Sequence, residues 1–160
     1  MSITVDATIT SKGQVTIPKE IRERLGLEAG QAVEFVLGEG DTVALYMPMV
    51  PEVIAILYGA FKVGAVVVPI FSGFGTDATA TRLEDPEVSV LFTADGFYRR
   101  GSEVWLKGTA DDAIEEAGTV EHTIVFNRFD STEKDIAWND RDEWWDDAVE
   151  SQDDEFETVS

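Results

Sequence analysis

The side chains that could do chemistry in this 160-residue chain are few, and most of what they could do is electrostatic. Cysteine is absent and His122 is the single histidine, which excludes a disulfide framework, a thiolate metal site and any multi-histidine cluster. Two acidic runs lie near the end, Asp140 to Asp147 and Asp153 to Glu157. Neither has the donor spacing of a calcium loop, so a solvated acidic surface is the plainer reading and no metal is expected. What remain are cations: Lys12, Lys19, Arg22 and Arg24 in the first stretch, and Arg99 and Arg100 side by side before Gly101 and Ser102. Read alone, the first four fit a solvated turn and helix face, and the second pair a solvated loop.

The elements that would position the first set are closely punctuated. Thr8 to Thr10 reads as a short strand, Ser11-Lys12-Gly13 as a hairpin connection, and Val15 and Ile17 as one face of the returning strand. Pro18 closes that strand and opens a helix, since its missing N–H is not needed in a first turn. Ile21 and Leu25 give the helix one apolar stripe, Gly26 ends it, and Leu27 folds back as the hydrophobic partner of the cap. A second hairpin follows: Val33, Phe35 and Leu37 alternate, Gly38 to Asp41 turns, and Thr42 to Tyr46 returns with Val43 and Leu45 inward.

This order of hairpin, short helix and hairpin, with Lys12 to Leu27 as its most diagnostic run, resembles the AbrB/SpoVT (MazE-like) family of swapped-hairpin DNA-binding domains. The resemblance implies that two chains interleave their hairpins into one small barrel. It also implies that Lys12, Gln14, Lys19, Arg22 and Arg24 face DNA, although Gln14 stands where some members carry a basic residue and Glu23 interrupts the arginines. Size agrees with a homodimer, because about forty residues bury too little surface to fold alone.

Twelve basic against thirty-two acidic residues give a net charge of −20. An acidic, lysine-poor surface suits a cytoplasm at very high salt, where screening tames self-repulsion, and so a salt-loving microbe such as a haloarchaeon. Residues 1–45 carry four basic and seven acidic groups, and residues 46–160 carry eight and twenty-five. DNA binding by the first part therefore requires its cations on one surface, and counterion release contributes less as salt rises. The start lacks a basic, apolar leader, and the longest apolar run, Val63 to Phe71, is too short to span a membrane. A cytoplasmic protein without membrane contact is expected.

Past Leu45 strands and helices alternate. Pro51 starts a helix with Val53, Ile56, Leu57, Ala60, Phe61 and Gly64 on one face; Ala65 to Phe71 reads as a strand buried on both faces. Thr76 to Glu84 is the next helix, Val88 to Phe92 a strand, Leu106 to Ala117 a helix and His122 to Phe126 a further strand, which argues for a parallel sheet with helices on its faces. Trp138, Trp144 and Trp145 are expected to pack on that sheet.

Several runs in this part, Val43 to Glu52, Gly64-Ala65, Phe71 to Phe74, Arg82 to Asp85, Thr93 to Gly96 and Tyr98 to Gly101, are similar to the amino-terminal part of acetyl-CoA synthetase and related adenylate-forming acyl-CoA ligases. The resemblance runs from about Gly40 to Asp154. It implies a carboxylate-activating fold in which the loop Arg99, Arg100, Gly101 and Ser102 touches CoA phosphates; Ser102 stands where a second arginine is common. The phosphate loop of that family, rich in Ser, Thr and Gly and ending in Lys-Gly, does not occur in these 160 residues, nor does the aromatic-Gly-x-Thr-Glu motif or the domain with the catalytic lysine. Without a cradle and lysine for the triphosphate, the expectation is a chain that is not an enzyme and holds no cofactor.

The resulting expectation is a mixed fold. A dimeric swapped-hairpin barrel of short strands and one short helix spans residues 1–47, a partial parallel α/β domain spans 48–150, and 151–160 form an acidic tail. Thr42 to Leu45 could belong to either module. The function expected is a DNA-binding regulator or antitoxin-like protein; the alternative is a degenerate acyl-CoA synthetase fragment with residual affinity for CoA or an acyl-nucleotide.

Overall fold

The computed structural model describes residues 40–150, and the barrel expected for the opening segment lies, up to residue 39, outside them. The described elements are β1 Thr42–Tyr46, α1 Pro51–Lys62, β2 Val66–Pro69, α2 Thr76–Glu84, β3 Val90–Ala94, β4 Gly96–Arg99, β5 Ser102–Trp105, α3 Lys107–Ala117, β6 His122–Phe126, β7 Asp142–Trp144 and α4 Trp145–Glu150. Five strands form one sheet in the order β2-β1-β3-β6-β7, every pair parallel, while β4 and β5 make a separate antiparallel hairpin.

Thr42–Tyr46 has a neighbour on each edge: Thr42 lies opposite Val66 of β2 and Val43 opposite Val90 of β3. Both of its faces are also covered. Val43 and Leu45 join Ile56, Ala60, Val90, Phe92 and Ile124 in one core, against which Val53, Trp145 and Ala148 pack; Ala44 and Tyr46 join Leu83, Leu91, Leu106, Ala110 and Ile114 in the other. Helices α1 and α4 therefore cover one face, and α2 and α3 the other. This differs from the half-buried returning strand expected for Thr42 to Tyr46, because a central parallel strand has no solvent face.

Local signals fix several boundaries. Pro51 opens α1 after an extended Val50. Gly118, at φ 67, closes α3 in the left-handed conformation that a residue with a Cβ adopts only at a cost, and its N–H donates to the Ile114 carbonyl.

Other expectations change. The run Ala65 to Phe71 contracts to a four-residue edge strand, so Val66 and Phe71 are more than half exposed rather than buried. Phe61 leaves the expected inner face of α1 and stands with Ile54 and Tyr58, each at least half exposed, in an outward apolar stripe spaced by a helical turn. Trp138 stacks on Trp144 with ring centroids 4.3 Å apart, and Trp145 packs on the sheet core.

The acidic run near the end is not uniformly solvated. Asp142 has a fully buried side chain, and its Oδ2 accepts from Lys107 Nζ at 2.8 Å. Lys107, itself 1% exposed, also donates to both oxygens of Asp111 at 2.6 and 2.8 Å, and Arg141 reaches Asp111 at 3.1 Å. A cation in the first turn of α3 faces the positive end of the helix dipole, so these two carboxylates supply the compensation. Burial pushes the Asp111 carboxyl above the usual carboxylate range, against the opposing pull of Lys107. The network ties α3 to β7 and the loop before it.

Lys107→Met leaves the buried Asp142 charge without its counter-ion, with only Asn139 still donating to it. It is expected to lower unfolding free energy by about 3–5 kcal/mol in urea titrations of the full chain, and Lys107→Met combined with Asp142→Leu to recover most of that loss.

Candidate functional site

An open parallel sheet gathers ligands beyond the carboxyl ends of its strands, where successive connections leave in opposite directions. Here the chain passes from β1 outward to β2 and then back across to β3, so that point lies where Tyr46 and Ala94 end their strands. Main chain and side chains are fixed there. Thr93 Oγ1 donates to the Tyr46 carbonyl at 2.8 Å, and the Tyr46 hydroxyl donates to the Phe74 carbonyl at 2.6 Å, holding the loop after β2. Burial raises the Tyr46 phenol above its usual range, so it stays a neutral donor. Phe74 meets Phe71 edge to face at 5.6 Å and carries the Arg82 guanidinium over its ring at 4.3 Å.

Asp95 follows β3 directly and is fully buried. Its Oδ1 accepts from the N–H groups of Gly96 at 2.7 Å and Arg128 at 2.9 Å; its Oδ2 accepts from Phe129 N–H at 2.9 Å and the Ser131 hydroxyl at 2.8 Å. The buried charge is thus met entirely by neutral donors, three of them from the loop after β6.

That loop delivers Phe129 to the β4–β5 hairpin. Its ring lies 4.9 Å from Tyr98 and 5.1 Å from Trp105, both edge to face. Gly96 is what allows this approach: a Cβ there would collide with the Phe129 ring and stand 2.6 Å from the Val104 carbonyl. At the far end of the hairpin Arg100 at φ 52 and Gly101 at φ 82 form a two-residue turn of the primed type, whose twist matches the strands it joins.

The structure therefore brings Arg99, Arg100, Gly101 and Ser102 together as one exposed turn at the end of a braced hairpin. Lys12, Gln14, Lys19, Arg22 and Arg24 lie outside the described residues. The motif Thr93 to Gly96 was visible in the sequence, but not the part Asp95 plays, because its partners at 128, 129 and 131 are more than thirty positions away. Among the described residues no group of three or more His, Cys, Asp or Glu is arranged to hold a metal ion, and no helix is long and apolar enough to cross a membrane.

Comparison with known proteins decides the family. A family model described as AMP-binding enzyme matches residues 33–158. The chain belongs to the AMP-binding enzyme family. Among curated proteins, this family member is 41% identical over 134 residues to acetyl-coenzyme A synthetase of Streptomyces coelicolor, a match covering 83% of this chain and 20% of that protein. It is 44% identical over 112 residues to the acetyl-coenzyme A synthetase of Pyrobaculum arsenaticum, covering 69% of this chain and 16% of that one. Among solved structures, an acetoacetyl-CoA synthetase from Streptomyces lividans superposes with a TM-score of 0.66 at 26% identity, covering 77% of this chain and 18% of that one. The chain thus spans about a fifth or less of the length of these relatives.

The expectation of a chain that is not an enzyme is overturned by this membership. It rested on motifs missing from 160 residues, whereas the residues present match the family model over 33–158. A second family model, antidote-toxin recognition MazE, bacterial antitoxin, matches residues 7–51. Of the residues that both models match, those described in the structure, 40–51, form β1 and the start of α1 in the parallel sheet.

Gly96→Ala is expected to cost about 1–3 kcal/mol in chemical denaturation, since the added methyl must displace either an aromatic ring or backbone. Near-ultraviolet circular dichroism should lose intensity as Phe129 separates from Trp105.

Proposed function

We propose that this chain forms the amino-terminal α/β part of an AMP-forming acyl-CoA ligase acting on a short carboxylate, and that it contributes to CoA binding. The observation that carries the reading is identity of 35–44% with acetyl-coenzyme A synthetases over most of the chain. Such a ligase joins a carboxylate to AMP and then passes the acyl group to the CoA thiol. The groups here suit the second substrate. CoA carries several phosphate charges, and the Arg99–Arg100 turn offers two adjacent guanidinium groups on a rigid support, with Arg128 in the loop that braces it. In a chain of net charge −20, such a local cluster is where a polyanion meets attraction rather than repulsion.

Titration calorimetry of the full chain with CoA should detect binding that weakens with salt. Arg99→Ala with Arg100→Ala should weaken it about tenfold or more, the value of losing at least one charge-assisted hydrogen bond. Saturation absent at millimolar CoA, or affinity indifferent to the double variant, contradicts the reading.

The MazE match over residues 7–51 favours a second activity alongside the first: DNA binding by a homodimer through Lys12, Gln14, Lys19, Arg22 and Arg24. Fluorescence anisotropy with duplex from the gene's own upstream region should show binding whose logarithmic salt slope becomes shallower by about 1 for each of Arg22→Ala and Arg24→Ala, one phosphate contact apiece. Anisotropy unchanged at every salt concentration would remove this activity.

A further inference from the structure

We infer that Asp95 is the positioning residue of the arginine turn: its buried carboxylate holds Arg99 and Arg100 where a phosphate can use them, without touching the ligand itself. The inference rests on the CoA reading above, but its geometry stands apart from it. At Asp95 five pieces of the fold meet: β3, β4, the end of β6, the loop after it and the start of α3. Its N–H donates to the Phe126 carbonyl at the end of β6 at 3.1 Å, and its own carbonyl accepts from Leu106 N–H at 2.9 Å, closing the base of the β4–β5 hairpin where α3 begins. Its side chain gathers Gly96 at the root of β4 and the N–H groups of Arg128 and Phe129, with Ser131 completing the set. Asn127 fixes the same loop from within, since its Oδ1 accepts from Ser131 N–H and its Nδ2 donates to the Ser131 carbonyl, both at 2.9 Å.

The mechanical chain is short. The carboxylate fixes the loop, the loop places Phe129, and Phe129 packs against Tyr98 in β4 and Trp105 in β5. Those strands form four facing pairs and, among the described residues, join no larger sheet, so a two-stranded ribbon of this length needs outside support to hold one conformation. Arg99 and Ser102 are its last facing pair, with Arg100 and Gly101 beyond. Ordering the turn in advance lowers the entropy that binding must overcome.

Asp95→Asn keeps the size and shape but turns one acceptor oxygen into an NH₂ group that faces N–H or O–H donors, so one side of the clamp must open. Ser131→Ala removes a single donor and is the milder variant. Two measurements on the full chain test the inference. In limited trypsin digestion followed by mass spectrometry, cleavage after Arg99 and Arg100 should rise about tenfold in Asp95→Asn, and less in Ser131→Ala, relative to cleavage after Lys62; equal rises at all three sites, or none, overturn the inference. In a double-mutant cycle on CoA affinity, Asp95→Asn should weaken binding about tenfold in the native background and by less than twofold once Arg99 and Arg100 are alanine. An equal loss in both backgrounds marks a merely structural role and overturns it. If the native chain fails to bind CoA, the ligand reading falls, and the trypsin ratio still decides whether Asp95 orders the turn.

Discussion

A parallel strand with a neighbour on each edge and a layer of helix on each face has no unmet backbone group and no solvent side, and Thr42–Tyr46 is held in this way. Much else takes its place from that strand. Since β2 lies to one side and β3 to the other, the connections diverge at the Tyr46 end, and divergence is what opens a crevice at the edge of an otherwise closed sheet. The same position limits what residues 40–51 can do in addition. They fall within two family matches, yet a strand whose edges are both hydrogen-bonded offers no edge to a second sheet.

Two buried charges near the start of α3 are handled by opposite physics. Asp142 meets a counter-charge, Lys107, with Asp111 and Arg141 extending the network. Asp95 meets none, and its charge is spread over backbone N–H groups and one hydroxyl. An ion pair repays desolvation only when both partners and their geometry are kept, and it suits a purely architectural joint between helix and strand. Backbone donors survive any substitution at their own positions except by proline, so they suit a joint whose shape must persist while most of the loop's side chains vary. The two meet at adjacent points of the chain, since Lys107 N–H donates to the Asp95 carbonyl at 3.3 Å.

Much of the architecture was legible in the chain itself. Pro51 and Gly118 mark helix boundaries, and the run His122 to Phe126 is found as β6 without change. The identity of Val66 as an edge residue was not, because a β-branched run looks alike in a central and a flanking strand until strand order is known. Asp142 was hidden in a run of acids, where composition announces solvation and only a partner 35 positions away makes it interior. The arginine turn could be read from Arg-Arg-Gly and the family resemblance, but its bracing by Phe129 depends on contacts between β6's loop and a hairpin some thirty residues earlier. The inference against enzymatic membership failed for a different reason: it counted missing parts, whereas the residues present already carried the family's pattern.

The outward stripe Ile54, Tyr58 and Phe61 on α1 sits on a protein that is otherwise strongly acidic. In dilute buffer the repulsion among those acids opposes the approach of any other acidic surface to that stripe. Added electrolyte shortens that repulsion to a few ångströms while leaving the cost of hydrating the stripe in place. Ionic strength therefore acts on this face in the opposite sense to a charged contact: it removes the repulsion that opposes approach and leaves the apolar contribution in place.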